Sequence, residues 1–110
     1  MTYQTTPQTP AQGSLQNVPK GRSFAFVFDR NGQDIAGYIC TINVQRFPGD
    51  TPAITRTIEP DHNKWSGFLT STETAALDPA GTWMLIAAIT NASDDKAEYQ
   101  TIRFAISEAL

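Results

Sequence analysis

The chain has 110 residues, 40% hydrophobic and 17% charged, with a formal net charge of −3, which suits one domain built on one core. One cysteine, Cys40, excludes an internal disulfide and a cysteine-rich metal site. Lys and Arg scattered singly exclude a phosphate-neutralising face, no apolar run is long enough to span a bilayer, and no basic-then-apolar secretory leader is present.

Residues 1–19 carry no charged side chain and are rich in Thr, Gln and Pro, with Tyr3, Leu15 and Val18 as their sizeable apolar groups. Such a segment buries too little apolar surface to offset its own ordering entropy. It reads either as a tail or as an extended arm that orders on a neighbouring subunit, with Pro7, Pro10 and Pro19 reducing the entropy lost on docking. The expected organisation is an extended or flexible arm over 1–20 and a β-sandwich over 21–110.

In Phe24–Phe28 the phenylalanines fall at every second position, the period of a strand with one buried face. Asp29-Arg30-Asn31-Gly32 follows as a turn, with Asn31-Gly32 suited to positive φ in a hairpin. A second strand is predicted over Ile35–Gln45, with Tyr38, Cys40, Ile42 and Val44 on one face. Phe47-Pro48-Gly49-Asp50-Thr51-Pro52 forms a loop. Ile54–Ile58 is a short third strand, closed by a turn over Glu59–Asn63. Lys64–Thr70 is a fourth, carrying Trp65 and Leu69 on one face.

One short helix is predicted near 70–77. Thr70 is followed three residues later by Glu73, the spacing of a capping box, and Asp78-Pro79-Ala80-Gly81 ends the helix. Thr82–Thr90 is apolar on both faces and reads as a central strand. Asn91–Asp95 is a polar turn, and Lys96–Ser107 is the last strand, with Ile102, Phe104 and Ile106 opposite Tyr99, Thr101 and Arg103. Strands separated by turns, with one brief helix, predict an all-β chain: a small antiparallel β-sandwich of Ig-like architecture.

Catalytic signatures are weak. His62 is the sole histidine and lies in a turn without a nucleophile motif, so it reads as an exposed turn residue. Cys40, in an apolar strand, reads as a buried inert thiol. Asp94, Asp95 and Glu98 are oxygen-bearing groups without the spacing of a calcium loop, and read as a solvated hairpin tip. The glycines are isolated, so no loop cradles a phosphate. Trp65 and Trp83 sit in alternating strands, where core packing is the default. No catalytic residue, metal site or cofactor is expected.

The stretch Trp65-Ser66-Gly67-Phe68-Leu69-Thr70-Ser71-Thr72-Glu73-Thr74-Ala75-Ala76-Leu77-Asp78-Pro79-Ala80-Gly81-Thr82-Trp83 is similar to a segment of small β-sandwich structural proteins of tailed bacteriophages. Phe26–Ile35 resembles the opening hairpin of such modules. The likeness spans about residues 22–107 and rests on structural motifs alone. It implies a non-enzymatic virion protein, of capsid decoration, head–tail or baseplate type, that is assembled in the host cytoplasm. Its implied partners are major capsid, tail or baseplate proteins and further copies of itself, with no nucleic acid and no membrane.

For that role the expected contact residues are Tyr3, Leu15 and Val18 of the arm and Phe47 and Pro48 of the loop, where a large apolar group stands beside a Pro-Gly turn. Phe47 can equally tuck under its own loop. The other readings are a free binding module, for instance one that takes carbohydrate on Trp, Tyr, Asp61, Asn63 and Asn91, and a small inhibitor or effector.

Overall fold

In a computed structural model of the protein, the described residues are 16–79, 81–91 and 94–107. Eight strands and one helix follow in chain order: β1 (Gln16–Pro19), β2 (Phe24–Phe28), β3 (Tyr38–Gln45), β4 (Ile54–Ile58), β5 (Pro60–Asp61), β6 (Lys64–Leu69), α1 (Ser71–Ala76), β7 (Thr82–Asn91) and β8 (Asp94–Ser107). They form a five-stranded sheet of order β1-β8-β7-β3-β4 and a three-stranded sheet of order β2-β6-β5. The all-β sandwich with one short helix is what the alternation predicts.

The core lies between the sheets, where the two inner sets of side chains meet. The small sheet supplies Phe24, Phe26, Phe28, Trp65 and Leu69, and the large one supplies Cys40, Ile42, Val44, Leu85, Ala87, Ile89, Ile102 and Phe104, all buried. The Phe24 and Phe104 rings meet across the two layers with centroids 5.1 Å apart. Gly67 lets the layers close, since a Cβ there would stand 3.0 Å from Phe26 and 3.3 Å from Ile58.

Three features differ from the sequence reading. First, Phe24–Phe28 does not form a hairpin with the next strand. β2 pairs antiparallel with β6, and β3 pairs with β4 and β7 in the other sheet. Asn31 (φ 55) and Gly32 (φ 80) do take the positive-φ turn, but that turn begins a crossing between layers. Gly37, at φ 81, breaks the backbone before Tyr38, so Ile35 lies in the crossing loop, buried against the core.

Side chains hold this crossing in place. Arg30 donates to the Glu98 carboxylate at 2.8 Å and to the Asp34 carbonyl at 3.0 Å, and its guanidinium stacks 3.9 Å from the Tyr38 ring centroid. Gln100 donates to the Asp29 carbonyl, and Asn63 donates to the Gln33 carbonyl.

Second, the end of the expected arm belongs to the sandwich. Residues 16–19 form β1, parallel to β8, with Val18 opposite Ile106. Val18 is fully buried. Its apolar surface is worth about 1.5–3 kcal/mol when removed from water, which outweighs the thin hydrophobicity of its neighbours. Third, Pro60–Asp61 is not only turn. It pairs with Trp65 and Lys64 through a tight reversal in which His62 adopts φ 59. At the other hairpin Asn91 pairs with Asp94, so β7 and β8 reach further into the polar segment than its composition predicts.

Candidate functional site

The groups able to do chemistry are few and poorly placed. His62 is 89% exposed at the side chain, and its Nδ1 lies 2.8 Å from the Asp61 carboxylate. Cys40 is buried on the inner face of β3, between Ile58 of β4 and Ile89 of β7 in the register. Desolvation pushes its thiol from an ordinary 9.0 up to about 12, which removes the thiolate that a nucleophile needs. Among the described residues no group of three or more His, Cys, Asp or Glu is placed to hold a metal ion. The side chains of Asp94 and Asp95 lie outside the described residues. No helix among the described residues is long and apolar enough to cross a membrane.

The tryptophans do not form a sugar-stacking platform. Trp65 is fully buried. Trp83 is buried too, its indole N–H donating to the Asp78 carbonyl at 2.8 Å and Arg46 stacking on its ring at 4.4 Å. Both are inward-facing strand residues, as the alternation predicts.

Of the expected contact residues, Tyr3 and Leu15 lie outside the described residues. Val18 is committed to the chain's own core and has no side-chain surface left for a partner. Phe47 is 57% exposed and Pro48 is exposed. The loop that presents them is tightened by Gln45 Nε2 donating to the Phe47 carbonyl at 2.9 Å and by the Asp50 N–H donating to the same oxygen. Phe47 therefore stands off its loop rather than beneath it.

The residues that sequence reasoning missed are on the outer face of the five-stranded sheet. Strand pairing sets them in rows. Ile39 stands beside Thr90. Thr57, Thr41, Ala88 and Tyr99 form the next row, and Thr55, Asn43, Ile86 and Thr101 the one after. Met84 and Arg103 follow, then Thr82, Ala105 and Asn17. Arg103 is the one charged side chain in these rows.

Ile39 is 53% exposed and Tyr99 70% exposed, so the face is open at both sides of β7. Thr55 donates to Asn43 at 2.8 Å, which satisfies part of the face's polar surface internally. The outer face of the small sheet is less uniform: Phe68, Ala25, Val27 and Ser66 share it with Lys64 and Asp61. The signal for the larger face was present in β3, β4 and β7, whose outward positions carry Thr, Asn, Ile, Ala and Met where a solvated sheet carries charge. Assembling it requires the strand order, which periodicity does not supply.

Such a face does no covalent chemistry. It can pack against another flat, neutral surface at little desolvation cost, since few charges must lose water. Comparison with protein-family models, with curated proteins and with solved structures found no match.

Proposed function

We propose that this chain is a non-enzymatic structural protein of a tailed-phage particle, attached to capsid or tail proteins through protein–protein contacts. The observation that supports this best is the outer face of the five-stranded sheet. It carries rows of Thr, Ile, Ala and Met with Arg103 as their one charge. A patch this size without charge is unusual on a surface meant only for water. The exposed Phe47–Pro48 loop adds a second apolar point of contact. The similarity of Trp65–Trp83 to small phage sandwich proteins supplies the kind of particle, and places the protein in the virion after assembly in the host cytoplasm.

The test is sedimentation of purified particles with immunodetection of the protein. It is expected to travel with intact particles, and the double variant Ile39→Glu/Tyr99→Glu is expected to be depleted from them. A protein found only in the soluble fraction would overturn the reading.

A further inference from the structure

We propose that the outer face of the five-stranded sheet is a homodimer contact, packed face to face on a second copy of this chain. The inference rests on the reading of this face as an attachment surface and names its occupant.

Area is the first argument. With strands about 4.8 Å apart and outward residues about 6.7 Å apart along each strand, the rows from Ile39–Thr90 to Thr82–Asn17 cover about 600 Å². Two such faces together remove about 1,200 Å² from water, enough for a specific interface. One face alone, left wet, is at the upper end of what a monomer exposes.

Charge is the second argument. The chain is net negative at −3, yet these rows carry no acidic residue. A second copy meets this surface without the repulsion it would meet elsewhere. A foreign partner is usually selected by a complementary charge pattern, and a face with Arg103 as its one charge offers none. A two-fold axis along β7 sets Ile86 and Ala88 beside their own counterparts. It sets Arg103, which lies one strand away on β8, over the neutral β3 side of the partner.

Side-chain size is the third. The middle of the face is Ala88, Ile86, Thr41 and Thr101, small enough for two sheets to approach to about 10 Å.

Sedimentation equilibrium of the full chain tests this. The expected result is a reversible dimer, weakened roughly tenfold or more by Ile39→Glu/Tyr99→Glu. Both positions are exposed, and an unchanged thermal melt checks that the variant folds. Phe68→Glu, on the outer face of the other sheet, is expected to leave the dimer intact. Because Cys40 is buried, a thiol introduced by Ala88→Cys is the reactive one, and a short bis-maleimide is expected to join two copies through it.

A protein that stays monomeric into the submillimolar range, a double variant that dimerises like wild type, or a Phe68→Glu variant that dissociates equally would each overturn the proposal. A monomer whose double variant is nonetheless depleted from particles gives the face to a different virion protein. That result sinks the dimer while leaving the attachment reading standing. A dimer absent from particles does the reverse.

Discussion

Cys40 faces the core from β3, opposite Ile58 and Ile89, with none of its surface exposed. Burial raises its thiol from 9.0 to about 12, because the ionised form would lose its hydration. The consequence for stability follows from linkage. In the unfolded chain the thiol ionises near its ordinary value, while in the folded chain it stays protonated. The contribution is therefore complete below about 9 and is lost as pH rises from there toward about 12. We expect the alkaline fall in stability to be shallower in Cys40→Ala than in the parent, measured as denaturation midpoints across that window. We also expect alkylation of Cys40 to be negligible in native protein and rapid in denaturant. Fast native labelling would show that β3 opens without global unfolding.

At the scale of elements, the helix is where sequence and structure agree most closely. Thr70 caps α1 in extended backbone, its hydroxyl accepting the Glu73 N–H at 3.1 Å while Glu73 accepts the Thr70 N–H at 2.9 Å. Glu73 also pairs with Arg56 of β4, and Arg56 donates to the Phe68 carbonyl at 3.0 Å. The cap thus ties both sheets to the point where the chain passes from β6 to β7. Thr70→Ala is expected to cost about 1 kcal/mol. Glu73→Ala is expected to cost more than Glu73→Gln, because glutamine keeps the box and loses only the ion pair; urea denaturation ranks the three. The capping box was legible because its two residues are three apart in sequence. The alternating strands were legible for the same reason: their period is local. Pairing is not local. Asn31-Gly32 announces a reversal, but the partner of β2 is decided by Phe24, Phe26 and Phe28 facing Phe104 across the core. β1 escaped notice because four residues with one buried apolar side chain carry no period. The uncharged outer face is assembled from four strands that only the sheet order brings together.

For the whole molecule, the question is whether two sheets of unequal size behave as one folding unit. The three-stranded sheet contributes no core of its own: Phe24, Phe26, Phe28, Trp65 and Leu69 are buried only because the larger sheet covers them. An isolated sheet of that size with one face stripped would be marginal in water. Arg30–Glu98 and Arg56–Glu73 link loops and edges across the layers, but such partly exposed pairs add little beside the buried apolar surface. Cooperativity should therefore be complete. The two tryptophans are placed to test this, one in each sheet: Trp65 on β6 and Trp83 on β7. In Trp83→Phe the remaining fluorescence reports the small sheet, and in Trp65→Phe the large one. Within each variant the fluorescence and far-ultraviolet circular dichroism transitions are expected to coincide in urea, the signature of two-state unfolding. The midpoints of the two variants will differ, since each removes a different buried ring. If the Trp65 signal instead moves at lower urea than the circular dichroism, the small sheet detaches first. The larger sheet would then have two faces open to partners, and attachment through the inner face would compete with attachment through the outer one.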